Sequence, residues 1–188
     1  MHKFNPAHIE RLLNGSRLRE VRPRQLLLDA GLRRAEVFID IGSGPGFFTL
    51  PAARIVGPGG VAYAVDTEPR MLDELKKRKP PANVKCILSS ESSVPLPDNT
   101  ADFLLLVHVL HEAEDRVAFL LELKRLLKPG AKLLVIDWKK RKEEHGPPIW
   151  DRITLKELTQ ELKQAGFSGI KSLPFKNNPS HYRVIARK

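Results

Sequence analysis

The chain has 188 residues, which is the size of one ordinary domain, and its 41% hydrophobic and 29% charged residues are typical of a packed globular protein. One cysteine, Cys86, excludes an internal disulfide and a zinc site built on paired thiolates, and its apolar surroundings predict a buried core residue. No stretch has the length and hydrophobicity of a membrane span, and the first residues lack a signal-peptide pattern, so we expect a cytoplasmic protein.

The formal net charge of +10 is distributed unevenly along the chain. Residues 1–34 carry eight Lys or Arg against three Asp or Glu, residues 35–123 carry eight against thirteen, and residues 124–188 carry sixteen against six. The basic flanks raise nucleic acid or an acidic surface as partners. However, the chain lacks the basic patch with interleaved aromatic residues that is typical of nucleic-acid binding.

Two helical stretches precede the first apolar run, at Ala7–Asn14 and Arg24–Ala30. We expect them to cover the carboxyl edge of a sheet as a lid, with plain packing helices as the alternative. From residue 36, short apolar runs alternate with amphipathic ones, which is typical of parallel strands joined by helical crossovers. The predicted strands are Val37–Ile41, Val61–Val65, Val84–Leu88, Phe103–Val107 and Leu133–Asp137.

The helices between these strands are predicted to begin near Gly46, Pro69 and Glu114. The last of them is expected to end in a basic turn at Lys128, before Pro129 and Gly130. A capping box formed by Thr154 and Glu157 predicts a helix over Leu155–Ala165. Finally, Phe167–Phe175 and His181–Arg187 are predicted to pair antiparallel, so the chain is expected to form an α/β sandwich closed by a hairpin.

The most informative segment is Phe38–Thr49, where a predicted strand ends in a glycine-rich turn that opens a helix. Open α/β sheets bind ligands at such points, and glycines let the backbone approach a ligand closely. The spacing is Gly-x-Gly-x-Gly, whereas the dinucleotide fingerprint would need a third glycine where Phe47 stands. The turn therefore predicts a ligand other than a pyrophosphate, which disfavours a nicotinamide-dependent reductase; a tight turn without a ligand is the alternative.

Asp66 closes the second predicted strand, twenty residues beyond Gly46. A carboxylate at that strand end can accept hydrogen bonds from both hydroxyls of a ribose. Its alternative role as the cap of the following helix is weakened by Pro69, which marks a helix start too far along the chain for Asp66 to be the immediate cap. The sequence thus predicts a nucleoside ligand.

Two further motifs follow, at Val94–Asp102 and Leu126–Ala131. Together with Ile39–Gly46 and Asp66, they resemble the motifs of class I S-adenosylmethionine-dependent methyltransferases, in particular the small-molecule-type group similar to the ubiquinone and menaquinone biosynthesis methyltransferases. The resemblance covers roughly residues 34–138. It implies a Rossmann-like three-layer sandwich with a mostly parallel sheet, and S-adenosylmethionine as the cofactor.

The resemblance also implies a part of the cofactor for each matching residue. The methionine portion would lie against the strand end and the glycine turn: Asp40, Gly42, Ser43, Gly44, Pro45 and Gly46. The nucleoside and the sulfonium would lie against the next strand ends: Asp66 at the ribose, Thr67 and Glu68 beside the adenine, Val107 and His108 beside the sulfonium. Ser90 stands where the family commonly has an Asp near the adenine amino group, so Glu91 and Ser92 are the alternatives for that contact.

Candidate catalytic bases lie in His108–Glu112, directly after the fourth predicted strand. His111 is the first choice and His108 the second, because a neutral imidazole can take a proton near pH 7. The alternative for His111 is a structural residue that bonds backbone carbonyls; Asp137 and Tyr182 are weaker candidates. The pattern matches neither form of the helical zinc-protease motif, so no metal is expected.

We expect a single methyltransferase domain over residues 1–188, with residues 1–34 as the lid candidate, 35–138 as the cofactor-binding core and 139–188 as the substrate side. The basic loop Trp138–Arg152 follows a strand end and would suit an anionic acceptor, although such a loop can also be merely solvated. A small-molecule acceptor is expected, with RNA or protein as alternatives and no membrane partner. From another class, a nucleic-acid-binding module with a vestigial nucleotide pocket is the rival hypothesis.

Overall fold

The structure, a computed structural model, describes residues 21–175 and 178–188. Within these ranges seven strands form one sheet: β1 Val37–Ile41, β2 Val61–Asp66, β3 Val84–Leu88, β4 Ala101–Val107, β5 Leu127–Trp138, β6 Ser168–Leu173 and β7 His181–Arg187. Their order across the sheet is β3-β2-β1-β4-β5-β7-β6. The predicted helix at Ala7–Asn14 lies outside the described residues.

The described part of the chain also contains five α-helices and one 3₁₀ turn, and all but the first helix lie between strands. The helices are α1 Pro23–Asp29, α2 Thr49–Val56, α3 Pro69–Lys77, α4 Arg116–Leu126 and α5 Leu155–Gln164, and the 3₁₀ turn is Leu110–Glu112. The capping box that begins α5 is present in both directions, with Glu157 N bonded to Thr154 Oγ1 and Thr154 N bonded to Glu157 Oε2. Thr154 therefore fixes the start of this helix as predicted.

Strands β1 to β5 are parallel, and β7 pairs antiparallel with both β5 and β6. The predicted Rossmann-like α/β fold with an antiparallel end is thus confirmed. The last strand is not added at the edge but inserted beside β5, where Asp137 lies opposite Tyr182. Because β1 to β5 run the same way, the residues that follow them meet at one carboxyl edge.

The sheet is covered on both faces, as the predicted three layers require. Phe38 and Phe103, with ring centroids 5.9 Å apart, pack toward α1 and α2. Ile39 and Leu104, one residue further along the same strands, are buried in the cluster that includes α4 and α5. Successive side chains of a strand point to opposite faces, so these near-continuous apolar runs bury both sides of the central strands. The described ranges contain no helix with the length and hydrophobicity needed to cross a bilayer.

Two element boundaries differ from the predictions. Helix α2 begins at Thr49 rather than near Gly46, because Gly46 has a φ of 83°, which is incompatible with a right-handed helix. Helix α4 ends at Leu126, two residues before the predicted Lys128, and β5 then begins at once. The extended conformation of this segment is stabilised by its pairing with the end of the chain, since Gly130 N donates to Lys188 O.

Cys86 is only partly buried, which corrects the prediction of a core position. The reason is its place in β3, the edge strand, where Leu88 is 54% exposed. The two-sided burial typical of a central parallel strand therefore does not extend to β3. Partial burial still raises the pKa of the Cys86 thiol, which keeps it protonated and unreactive near neutral pH.

Helix α1 packs against α2 through buried leucine side chains. Leu26 and Leu27 are buried in the same cluster as Phe48 and Ala52, which belong to α2 and its cap. The helix carries Pro23 at its first position, where a missing N–H costs nothing. This burial is what the packing alternative requires of residues 23–29; whether the first 34 residues act as a lid stays a prediction.

Candidate functional site

The glycine turn lies at the carboxyl edge, between the end of β1 and the start of α2. Gly42 and Gly46 have φ angles of 67° and 83°, in the left-handed region that favours glycine. A Cβ on Gly42 would overlap Val109 Cγ2, and a Cβ on Gly46 would overlap Leu75 Cδ1. The side chains of Val109 and Leu75 therefore pack directly against the glycines of the turn, which holds its backbone amides in a fixed arrangement.

Asp66 is joined to this turn through its carboxylate. Gly44 N donates to Asp66 Oδ2 at 2.8 Å, and Glu68 N donates to Oδ1 at 3.0 Å. The end of β2 and the glycine turn are thus brought together as the sequence predicted. The residue is 9% exposed, and burial raises the pKa of its carboxyl, an effect opposed by the backbone N–H donors. Asp66 is not the cap of α3, because Glu68 fills that position by accepting from Arg70 N.

Asp40 lies within β1, before the glycine turn, and is buried, with 2% exposure. Its Oδ2 accepts a hydrogen bond of 2.6 Å from Thr49 Oγ1, which ties the strand before the turn to the helix after it. Burial raises the pKa of Asp40 to about 7; the Thr49 hydroxyl opposes this, and the charge of Asp66 adds to it. A buried carboxyl that titrates near neutral pH beside a glycine turn is typical of a functional site.

Asp40 should make the stability of the protein depend on pH in a defined window. Because its folded pKa of about 7 lies above the ordinary value of 3.8 for an aspartate in an unfolded chain, the folded chain holds this proton more tightly than the unfolded one. Its contribution to the free energy of unfolding is then largest below pH 4 and falls as pH rises to 7, by up to about 4 kcal/mol. Chemical denaturation of wild type and Asp40→Asn between pH 4 and 8 measures this. If both lose the same stability over that window, Asp40 does not titrate there.

The residues predicted at the adenine lie around this edge but are mostly exposed. Thr67 is exposed, whereas Glu68 is half-buried and its side chain caps α3. After β3, Ser90, Glu91 and Ser92 are all exposed, and the Ser90 hydroxyl bonds the backbone of Ser93 in both directions. The adenine contacts predicted for Thr67, Glu68, Ser90, Glu91 and Ser92 stay predictions.

The residues predicted beside the sulfonium lie at the end of β4, just before Val109, which packs on Gly42. Val107 and His108 are half-buried, and His108 has a φ of 58°, an uncommon conformation for a residue with a Cβ. His108 N donates to Ile136 O at 3.0 Å, so the strained backbone is held by β5. Its ring lies 5.5 Å from that of Trp138 and 4.6 Å from that of His181, centroid to centroid. This cluster of aromatic rings was not predicted, since it joins three strand ends far apart in the sequence.

His111 lies in the 3₁₀ turn and is buried, with 5% exposure. Its Nδ1 lies 2.8 Å from Oδ1 of Asp137, at the end of β5. Burial alone would lower the pKa of His111, but the hydrogen bond and charge of Asp137, together with the charges of Glu112 and Asp151, outweigh it and raise the pKa above 6.5. The hydrogen-bond partner of its side chain is thus a carboxylate and not a backbone carbonyl, and the choice between a catalytic and a structural role for His111 stays a prediction.

The basic loop after β5 is held in place by Arg152, a residue that the sequence did not single out. This side chain is 4% exposed, and its guanidinium donates to the carbonyl oxygens of Lys139, Arg141, His145 and Pro147. It also lies 5.0 Å above the Trp138 ring. The lysines of the loop remain on the surface, as does Trp150 with 76% exposure. One buried cation therefore orders a loop that borders the candidate site.

The sequence did not indicate two more residues of the site, one because it is distant from the turn along the chain and the other because its side chain is apolar. Arg78 Nη1 donates to Pro45 O at 2.8 Å from the end of α3, 33 positions along the chain. Val109 is an apolar residue, and only the structure shows that it packs on Gly42. Ser43 is buried and its N–H donates to Val65 O, so it completes the contact between the turn and β2. Within the described ranges, no group of His, Cys, Asp and Glu has the arrangement of a metal site.

Comparison with known proteins connects this site to one family. Residues 39–135 match the family described as "methyltransferase domain". A ubiquinone/menaquinone biosynthesis C-methyltransferase of Marinomonas sp. (strain MWYL1) is 29% identical over 139 residues, covering 72% of this chain and 55% of that protein. A demethylmenaquinone methyltransferase of Geobacillus sp. (strain WCH70) is 30% identical over 109 residues, covering 56% of this chain and 47% of its own length. The chain thus spans about half the length of these curated relatives.

A solved structure shows similarity over nearly the whole chain. It is a SAM-dependent methyltransferase from Aquifex aeolicus, 33% identical, with a TM-score of 0.89, covering 98% of this chain and 99% of its own. A second structure, an S-adenosylmethionine-dependent methyltransferase from Mesorhizobium loti, is 16% identical with a TM-score of 0.73, covering 87% of this chain and 96% of its own. At that identity the second comparison supports the fold alone.

Proposed function

Because the chain belongs to the methyltransferase domain family, we propose that it transfers the methyl group of S-adenosylmethionine to a small-molecule acceptor. The family match covers β1 to β5 almost entirely, which includes the glycine turn and Asp66. The sequence-based expectation of S-adenosylmethionine as methyl donor agrees with the family. We also propose that the chain works as one methyltransferase domain.

One observation carries the proposal: the bond of 2.8 Å between Gly44 N and Asp66 Oδ2 at the carboxyl edge of the sheet. It places a carboxylate able to accept two hydroxyl donors directly beside a turn whose backbone a ligand can approach closely. A ribose and the chain attached to it require this combination, since the sugar offers two donors and the next atoms need a surface without side chains. The residues therefore fit an adenosyl ligand.

The remaining roles follow from position. Asp40 and the turn residues Gly42 to Gly46 would lie along the methionine portion, and Val107 and His108 would lie near the sulfonium. When bound, the cofactor supplies an activated methyl group with its leaving group attached. The protein then has to align the acceptor, exclude water and remove a proton where the acceptor carries one. The excess of acidic over basic residues in 35–123 favours a ligand with a sulfonium and an ammonium group.

A small molecule is the acceptor class that the relatives support. The names of the two curated relatives state quinone biosynthesis and demethylmenaquinone as their chemistry, and we extend only the class, a small organic acceptor, to this chain. The ordered loop held by Arg152 borders the site, and its exposed lysines suit an anionic acceptor. RNA and protein acceptors are outcomes that the following experiment would identify.

The proposal is tested by incubating the protein with methyl-labelled S-adenosylmethionine and an extract of the cells that make it, followed by separation into small molecules, RNA and protein. We expect label in the small-molecule fraction above the level of the extract alone, and a strongly reduced increment with the Asp66→Ala variant. Demethylmenaquinone in its reduced form serves as one defined acceptor alongside the extract. Label in RNA or protein would show that the acceptor is that macromolecule and not a small molecule. No label in any fraction would contradict methyl transfer itself.

A further inference from the structure

The pair formed by His111 and Asp137 has the geometry of a positioned base. The two side chains are 5% and 2% exposed, and their contact of 2.8 Å joins the turn after β4 to the end of β5. An ionised carboxylate only accepts hydrogen bonds, so His111 Nδ1 must carry the hydrogen. Nε2 is then the nitrogen with the lone pair, and among the described residues the ring has no hydrogen-bond partner other than Asp137.

The carboxylate is itself held in position. Trp138 N donates to Asp137 Oδ1 at 2.8 Å, so the oxygen that faces His111 accepts two hydrogen bonds. The other oxygen, Oδ2, is buried and has no hydrogen-bond partner in the described structure, and the same holds for the hydroxyl of Tyr182, which lies opposite Asp137 in β7. Buried polar atoms without partners are rare and need an explanation. Here they leave the Asp137 charge compensated mainly by His111, which favours a proton on that ring.

The pair lies next to the proposed cofactor position rather than elsewhere in the fold. Val109, two residues before His111, packs on Gly42 of the glycine turn, and His108 N bonds Ile136 O beside Asp137. The segment that leads from β4 into the 3₁₀ turn thus contacts the glycine turn through Val109 and β5 through His108. In an open α/β sheet this is the edge at which the ligand and the residues acting on it meet.

Resting on the proposed function, we propose that the acceptor is a compound whose methylated atom carries a proton, and that His111 Nε2 removes this proton while Asp137 holds the ring. Phenols, enols and carbon acids belong to this class, whereas thioethers and tertiary amines, which need no base, do not. The X–H electron pair forms the new X–CH₃ bond, the proton goes to Nε2, and the pair of the old S–CH₃ bond leaves with sulfur. His111 is then the catalytic residue and Asp137 a positioning residue.

The charged groups that face the ring determine the expected pH dependence. They are Asp137 from β5, Glu112 from the same turn and Asp151 from the loop before α5, all of them acidic. Their charges favour the imidazolium, so the rate should rise with pH through a midpoint above 6.5 as Nε2 becomes free to accept a proton. Removing the Asp137 charge should shift that midpoint to lower pH and, because the tautomer is no longer fixed, lower the plateau.

The test compares wild type, Asp137→Asn and His111→Gln, with Asp102→Asn as the matched control. Asp102 also bonds a backbone N–H, that of Val37, but it lies at the opposite edge of the sheet. The rate of label transfer from S-adenosylmethionine to the extract is measured from pH 5.5 to 9. We expect a loss of about 10- to 100-fold for Asp137→Asn, with a midpoint at lower pH, a larger loss for His111→Gln and an unchanged profile for Asp102→Asn.

Two further readouts separate this proposal from the proposed function. Calorimetry should show S-adenosylmethionine bound within about threefold of the wild-type affinity in both variants; this shows that they are folded and that the cofactor site is intact. Nitrogen-15 NMR of the histidine rings should show His111 with its hydrogen on Nδ1, a result that needs no acceptor. An Nε2–H tautomer, or an Asp137→Asn enzyme with wild-type rate and midpoint, would overturn the base, whereas absent cofactor binding in wild type would overturn the function.

Discussion

Replacing Asp66 with alanine is expected to weaken the binding of S-adenosylmethionine at least about 100-fold. The carboxylate can accept both ribose hydroxyls, and two hydrogen bonds to a charged group together contribute about 3 kcal/mol. The variant also loses the bonds from Gly44 N and Glu68 N, which hold the glycine turn against β2. Isothermal titration calorimetry with S-adenosylmethionine or S-adenosylhomocysteine measures the affinity directly.

A ligand lacking the hydroxyls separates ribose binding from a purely structural role. Wild type should bind the 2′,3′-dideoxy analogue of S-adenosylhomocysteine much more weakly than the natural ligand, whereas Asp66→Ala should bind the two ligands with equal affinity. Asp73→Ala on α3, which removes an exposed carboxylate paired with Lys76, is the matched control and should bind normally. If Asp66→Ala still preferred the hydroxylated ligand by the wild-type factor, Asp66 would only support the turn.

The second large effect is expected from Gly42→Ala. The alanine would have to keep the backbone φ of 67°, which is strained for a residue with a Cβ, and its Cβ would overlap Val109 Cγ2. Backbone strain and overpacking should together reduce the free energy of unfolding by about 3 kcal/mol. Because the same displacement moves the turn that faces the cofactor, affinity for S-adenosylmethionine should fall as well. Denaturant unfolding and calorimetry on the same preparations measure both quantities.

Gly130→Ala is the control, because Gly130 has a positive φ like that of Gly42 but no neighbouring atoms that a Cβ would overlap. Its φ is 76°, and a Cβ there would meet nothing within 4 Å, so Gly130→Ala should lose only about 1 kcal/mol and bind the cofactor normally. Adding Val109→Ala to Gly42→Ala removes the overlapping methyl group and should recover part of the loss. Equal destabilisation by the two alanine substitutions, with no recovery, would mean that contact between the turn and Val109 is unimportant.

The order and type of most elements could be predicted, because hydrophobic runs and turn residues are local signals. Val37–Ile41 and Val84–Leu88 have the predicted bounds, and Thr154 begins α5 as expected. The exceptions depended on distant partners. The segment from Leu127 looks like a helix end followed by breakers, yet it is extended because Leu127 pairs with Ala101 and Gly130 bonds the last residue of the chain.

The candidate site could be predicted at its strand ends but not between them. Asp40, Asp66 and His111 could be found because each follows or ends a recognisable strand. Their contacts could not. Asp137 was a candidate by itself, but its pairing with His111 is recognisable only once the sheet brings separate segments together. The same holds for the bond from Thr49 to Asp40 and for the bond from Arg78 to the Pro45 carbonyl. Arg152 could not be predicted either, because the loop is rich in basic residues and its sequence does not indicate that this one is buried.

The two later motifs turn out to stabilise the scaffold. Asp102, at the end of one motif, accepts from Val37 N and from Lys128 Nζ, which belongs to the other motif. Arg125 donates to the carbonyl oxygens of Val94 and Leu96 and thereby fixes the segment that follows β3. These contacts lie away from the glycine turn and position β1, β4 and β5 relative to one another. Family motifs can therefore report on the framework of a site as well as on its chemistry.

A crystal structure of the protein with bound S-adenosylhomocysteine tests the central claim most directly. We expect the ribose hydroxyls within hydrogen-bond distance of the Asp66 carboxylate, and the homocysteine chain along the glycine turn. The sulfur should lie beside the residues that follow β4, on the side where His111 meets Asp137. A ligand bound elsewhere, or a ribose that leaves Asp66 untouched, would contradict the account.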